Sequence, residues 1–162
     1  MKQFQMFIGG EHTPAMGGQY SDVRNPATGE IVASVPRSDS EDIQKALQSS
    51  EKGFQGWKRL APGEREAILL KCADAIEKSK DAFLETLLME SGSTINKASR
   101  EVEYSAILMR TAAGEVRRLY GETFPNDRLQ RASMVFKEPL GIVSVISPFN
   151  APLVLLVKMA VF

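Results

Sequence analysis

Gly141-Ile142-Val143-Ser144-Val145-Ile146-Ser147-Pro148-Phe149-Asn150 is the stretch on which the fold turns. Residues 142–146 are almost continuously apolar and β-branched, the pattern of a strand covered on both faces in an α/β protein. Pro148 ends that strand, because it has no N–H to donate and it restricts the backbone of Ser147. Asn150 therefore falls just past the strand's carboxyl end, the edge of an open α/β sheet where ligands bind. A side-chain amide placed there can donate to an oxygen that gains negative charge during a reaction. Beyond it, Leu153, Val154, Leu155, Leu156, Val157, Met159, Val161 and Phe162 are apolar nearly all round, as in a helix enclosed by further protein. A strand followed by such a helix is the first half of a βαβ unit, so the reading expects the opening portion of a longer fold. Taken alone, the chain is expected to expose a contiguous apolar patch.

Upstream, Ala132 to Glu138 alternates enough to predict an extended strand, with Met134 and Phe136 on one face and Val135 and Lys137 on the other. The polar run Gly121 to Gln130 sets it apart from the helical middle, and such an arm suits pairing with another subunit. Four helices precede it. Ser38 and Glu41 have the spacing of a capping box, and Ile43, Ala46, Leu47, Phe54 and Trp57 recur along one face behind them. Pro62 opens a second helix with the stripe Ile68, Leu69, Cys72, Ala73 and Ile76. Ser79 caps a third carrying Phe83, Leu84, Leu87 and Leu88, and Gly92 ends it. The fourth runs from about Ile95 to Tyr120 with Val102, Ala106, Met109, Ala113 and Val116 inward. At the amino terminus, Phe4 to Ile8 with Gly9-Gly10 predicts the first arm of a hairpin. Asn25-Pro26-Ala27-Thr28-Gly29 predicts a turn ahead of a strand from Glu30 to Val35.

A chain of 162 residues, 43% hydrophobic and 25% charged, has the size and composition of a soluble domain with a sizeable core. Twenty basic and twenty acidic residues cancel, which removes any general drive toward nucleic acid or an anionic membrane, and both are excluded as partners. Cys72, the only cysteine, excludes an intrachain disulfide and a cysteine-rich metal site and suits a reducing cytoplasm. Met1 to Phe4 lacks a signal-peptide core, and the apolar run Ala151 to Val157 is too short to span a bilayer. Cytoplasmic residence is the expectation.

Few side chains are candidates for chemistry. Asn150 leads, although an asparagine after proline, taken singly, reads as a turn residue. Cys72 lies on an apolar stripe between Leu69 and Ile76, where an inert buried thiol is expected rather than a nucleophile. His12 has no second ligand near it, and no metal site is expected. Glu90, Glu101 and Glu103 sit near basic neighbours and read as a solvated or ion-paired face. Gly9-Gly10 and Gly17-Gly18 are turns, since neither follows a buried strand and opens a helix as a phosphate loop must.

Several blocks occur in a telling order. They are Phe7-Ile8-Gly9-Gly10-Glu11, Asn25-Pro26-Ala27-Thr28-Gly29-Glu30, Trp57 followed by Pro62-Gly63-Glu64-Arg65, Glu90-Ser91-Gly92-Ser93, and Glu138-Pro139-Leu140-Gly141-Ile142-Val143 through Pro148-Phe149-Asn150-Ala151-Pro152-Leu153. The set resembles the amino-terminal part of an NAD(P)-dependent aldehyde dehydrogenase, about the first third of the usual enzyme. The implied fold class is α/β, incomplete: a helical segment, β-hairpins and the first strand and helix of a Rossmann-like parallel sheet. On this resemblance residues 1–120 belong to the cofactor-binding domain, 121–139 supply strands of an oligomerisation arm, and 140–162 begin the Rossmann-like core.

The resemblance also implies a mechanism. A cysteine thiolate attacks the aldehyde, a hydride passes to the nicotinamide of NAD or NADP, and a glutamate-activated water releases the acid. Asn150 matches the asparagine that stabilises the oxyanion, and Ile146, Ser147, Pro148 and Phe149 match the segment whose backbone lines the cofactor cleft. The nucleophile and the base have no match in residues 1–162, so the chain by itself is expected to be inactive. Its implied partners are a small-molecule aldehyde and further copies of itself through the arm strand. Phe149 stands where tryptophan is commoner, as in relatives handling aromatic or semialdehyde substrates, and Ser93 stands where lysine is frequent. A non-catalytic oligomerising module and a part of a coenzyme A-acylating semialdehyde enzyme remain the alternatives.

Overall fold

The computed structural model describes residues 2–162 and opens with β1 (Lys2–Gln3), β2 (Met6–Ile8) and β3 (Glu11–Thr13). Gly9 and Gly10 close the β2–β3 hairpin with φ of 66° and 88°, the left-handed pair that a two-residue turn of this kind requires. β4 (Tyr20–Arg24) and β5 (Ile31–Pro36) form a second hairpin across the Asn25–Gly29 turn, and β1 adds in parallel on the far side of β5.

α1 (Ser40–Trp57) begins one residue later than the sequence pattern suggests. Asp39, not Ser38, is the N-cap: its carboxylate accepts from the N–H groups of Glu41 and Asp42 at 2.8 and 3.0 Å, and Asp42 returns the bond to Asp39 N–H at 3.2 Å. The Asp42 carboxylate also accepts from Met16 N–H at 3.2 Å, and this tie to the preceding loop explains why the Asp39–Asp42 pair wins. The predicted apolar face of α1 is not core. Ile43, Leu47 and Trp57 are exposed, because no other helix packs over that side.

α2 (Pro62–Lys78) starts with Pro62 in its first turn, and the Glu64 carboxylate reaches back to Ala61 N–H at 2.7 Å. α3 (Lys80–Glu90) follows after Ser79, whose side chain makes no capping bond, and Gly92 beyond its end adopts φ 64°. α4 (Ile95–Glu115) is capped by Thr94 and gives way to a 3-10 turn at Val116–Arg118, short of the predicted Tyr120. β6 (Glu122–Phe124) and β7 (Ser133–Val135) pair antiparallel, so the arm strand is shorter than its alternating pattern, and α5 (Pro152–Val161) completes the described elements.

The core forms where α2, α3 and α5 close on α4. Ala73, Ile76, Leu87, Ala98, Val102, Ala106, Met109 and Val157 are buried together, with Leu69, Phe83, Leu84, Leu153 and Val161 around them. The contact of α2 with α4 buries Ala73 in one cluster with Ala98 and Ala106. It takes in Leu69, Ala73 and Ile76 of α2 and leaves Ile68 and Cys72 outside. The buried, inert Cys72 of the sequence reading is thus corrected to an exposed thiol. Arg110 ties α4 to α2 on the surface, donating to Asp74 at 2.9 Å and Glu77 at 2.7 Å, and these two bonds raise its pKa above the ordinary guanidinium value.

Residues 142–146 do not form the predicted strand. No described segment pairs with them, so they lack ladder partners, and Ile142, Val143 and Ile146 are exposed instead of covered on both faces. Among the described residues no helix is long and apolar enough to cross a membrane, and no three His, Cys, Asp or Glu side chains gather where they could hold a metal ion.

Candidate functional site

The turn from Ser147 to Ala151 is held from two directions. The Ser147 hydroxyl donates to the Pro152 carbonyl at 2.6 Å, closing the turn on itself. On the other side, α5 presents the unpaired N–H groups of its first turn to α4. The Glu101 carboxylate accepts from Leu153 N–H at 2.9 Å and from Val154 N–H at 3.4 Å. Ala151, the N-cap residue, has no side-chain oxygen with which to do this. Negative charge at a helix amino terminus is also favoured by the helix dipole.

Glu101 is buried at 5% exposure, and its charge is matched by Lys97 at 3.2 Å, one turn earlier on α4. The Lys97 ammonium also donates to the Ser93 hydroxyl at 2.8 Å, and Ser93 lies 2.9 Å from Ser91, which donates to Leu87 O of α3. A continuous polar chain therefore links the end of α3 to the start of α5 through Ser93, Lys97 and Glu101. The ion-paired reading of Glu101 holds, but its place is the interior rather than a solvated face. Its position between Ala98 and Val102 on the apolar stripe of α4 is the signal for that burial.

Asn150 sits at the tip of this clamped turn, exposed, and its side chain forms no hydrogen bond with any described residue. Asparagines that serve turns behave otherwise. Asn25 accepts from Ala27 N–H at 2.9 Å and Asn126 from Arg128 N–H at 3.0 Å, each bonding its own backbone two residues on. The Asn150 amide keeps its two donors free.

Two cavities border the turn. One, of about 500 Å³, lies between α4 and the start of α5 and is lined by Arg100, Tyr104, Ile107, Ala151 and Val154. The other, of about 590 Å³, has Phe83, Leu87, Phe149, Pro152, Leu153 and Leu156 among its walls. Cys72 lines neither. Of the remaining predicted site residues, Ile146, Pro148 and Phe149 are exposed and Ser147 is half-buried. Among the described residues, no backbone–backbone hydrogen bond engages residues 141–150. The Ser147 hydroxyl is committed to Pro152, which leaves its backbone as the available part.

The sequence profile of the Aldehyde dehydrogenase family matches residues 12–162. Among curated relatives, a glutarate-semialdehyde dehydrogenase of Pseudomonas putida is 30% identical over 96% of this chain and 32% of its own length. The chain thus spans about a third of the length of the curated relatives it matches. Among solved structures, a salicylaldehyde dehydrogenase of Pseudomonas putida G7 superposes with a TM-score of 0.91 at 30% identity, over 98% of this chain and 33% of that one. An NADP-dependent glyceraldehyde-3-phosphate dehydrogenase from Bacillus halodurans C-125, complexed with NADP, gives a TM-score of 0.91 at 30% identity, over 99% and 35%. The small, incomplete sheets described above correspond to the amino-terminal third of that α/β fold.

Proposed function

Since the chain belongs to the aldehyde dehydrogenase family, we propose that it forms the segment of an aldehyde-oxidising enzyme that stabilises the developing oxyanion and borders the cofactor. The observation that carries this reading is the Asn150 side chain, unbonded at the tip of a turn fixed by Ser147, Pro152 and Glu101. When a nucleophile adds to an aldehyde, the carbonyl π pair moves to oxygen, and a donor already aimed there lowers the barrier without reorganising. The Glu101–Lys97 network supplies that prior aim by fixing the helix that begins two residues after Asn150.

Ile146, Ser147, Pro148 and Phe149 would hold NAD or NADP through their backbone and apolar faces, and the bound cofactor would supply the hydride acceptor. Residues 1–120 would build part of the cofactor domain, 121–139 the arm, and 140–162 the start of the parallel sheet. The nucleophile and general base lie outside residues 1–162, so this chain alone is inactive. Purified chain incubated with NAD or NADP and several aldehydes should form no NAD(P)H. Turnover that Cys72→Ser abolishes would contradict the assignment.

A second reading, a non-catalytic oligomerising module, is favoured by one observation. Phe124, Met134, Val135 and Phe136 on or beside the β6–β7 hairpin are exposed, an apolar edge suited to a second copy in the cytoplasm. Sedimentation separates the two: a monodisperse oligomer that unfolds cooperatively supports the module, and heterogeneous association supports an enzyme segment.

A further inference from the structure

A cavity of about 640 Å³ opens between the tip of the β2–β3 hairpin and one face of α1, lined by Gly9, Lys45, Gln48, Ser49, Lys52 and Gly53. Lys45, Gln48, Ser49 and Lys52 stand at i, i+3, i+4 and i+7, so two turns of the helix bring them to one side. Each of these four side chains can donate a hydrogen bond, and none forms a hydrogen bond or ion pair with another described residue. The acidic residues of α1 are placed elsewhere. Glu41 and Asp42 lie in its first turn, with Asp42 holding Met16 N–H, and Glu51 accepts from Gln55 at 2.6 Å. No carboxylate lines the cavity. Its two glycines keep it open: a Cβ on Gly9 would lie 3.2 Å from Ser49 Oγ, and Gly53 occupies a helix interior, where glycine is unfavourable, with nothing within 4 Å of a Cβ position.

We propose that this face of α1 binds a diphosphate group, one phosphoryl at each lysine, with the Gln48 amide and the Ser49 hydroxyl donating between them. Seven residues separate Lys45 from Lys52, about 10 Å along the helix axis. Their flexible stems converge across that distance more readily on an extended anion than on a single phosphate. An ammonium grips phosphoryl oxygens as a point charge, and a charge-assisted hydrogen bond is roughly twice as strong as a neutral one. Inorganic diphosphate and the diphosphate of a nucleotide share this chemistry. The cavity has no lining residue in common with the two beside Asn150, so the inference stands apart from the oxyanion reading.

The test is acetylation of the lysines of the 162-residue chain, mapped by mass spectrometry with and without about 5 mM inorganic diphosphate, for a dissociation constant on the order of 1 mM. Labelling of Lys45 and Lys52 should fall roughly fivefold, while the exposed Lys71, Lys78 and Lys137 keep their rates. ADP in place of diphosphate separates the two sources: stronger protection assigns a nucleotide, and equal or weaker protection assigns the inorganic ion. Lys52→Gln should restore most of the labelling at Lys45, because both lysines hold one ligand, and Lys52 is exposed, so the variant keeps the fold. Ser49→Ala should weaken protection about threefold. No protection, uniform protection of every lysine, equal protection by sodium sulfate at matched ionic strength, or a Lys45 still protected in Lys52→Gln would overturn the proposal. The readout needs no turnover, so its failure stays distinct from failure of the proposed function.

Discussion

The carboxylate of Glu101 accepts the N–H of Leu153 at 2.9 Å, joining the second turn of α4 to the first turn of α5 across fifty-two positions of sequence. The bond performs the work that an N-cap side chain performs in an isolated helix, and it does so from a different element. Its consequence is positional, because the turn carrying Asn150 ends where this helix begins.

Removal of the Glu101 carboxylate should therefore cost more than a surface ion pair would. Glu101→Ala leaves the Leu153 and Val154 amides and the Lys97 ammonium without their acceptor, a loss of about 2–3 kcal/mol. Glu101→Gln retains an acceptor and should lose less. Urea unfolding of the two variants checks both the size and the order, and a change under about 0.5 kcal/mol for the alanine variant would remove the capping role.

Much of this architecture is legible in the sequence. The two hairpin turns declare themselves through Gly9-Gly10 and Asn25–Gly29, the helices through Pro62 and Gly92, and the core through Ala73, Ile76, Leu87, Val102, Ala106 and Met109. Periodicity fails at α1, because it reports which face is apolar and not whether anything packs on it. It also overstates α2, whose apolar stripe is wider than the part that α4 covers: Ile68 and Cys72 stay exposed. The run 142–146 has the composition of a buried strand, but a strand needs ladder partners, and none lies within residues 2–162. Glu101 reads from sequence as part of a solvated or ion-paired face; its place on the apolar stripe of α4 signals burial, but its capping role depends on a segment far along the chain.

The corrected position of Cys72 has a direct chemical consequence. An exposed thiol on α2 should react stoichiometrically with a disulfide reagent such as DTNB in the native state, at a rate close to that of the denatured chain. Cys72→Ser should change stability by less than about 0.5 kcal/mol. Strong native protection of the thiol would contradict the exposed position of Cys72 on α2.

Two glycines with similar backbones should differ in what they tolerate. Gly29 and Gly92 have φ of 76° and 64°, but a Cβ at Gly29 meets open space, whereas one at Gly92 would lie 2.7 Å from Pro26 Cγ. Gly29→Ala should lose only the cost of the left-handed conformation, about 1 kcal/mol, and Gly92→Ala about 1–2 kcal/mol beyond that. Equal losses in thermal or urea unfolding would mean that the loop carrying Pro26 moves freely away from the end of α3.

The central claim is that Asn150 donates to the oxyanion, and the most direct measurement compares Asn150→Ala with the parent in a polypeptide that completes residues 1–162 to the length of their relatives. Turnover should fall by about 10²–10³-fold, with the NAD(P) dissociation constant nearly unchanged. Undiminished turnover, or parallel loss of turnover and cofactor binding, would contradict it.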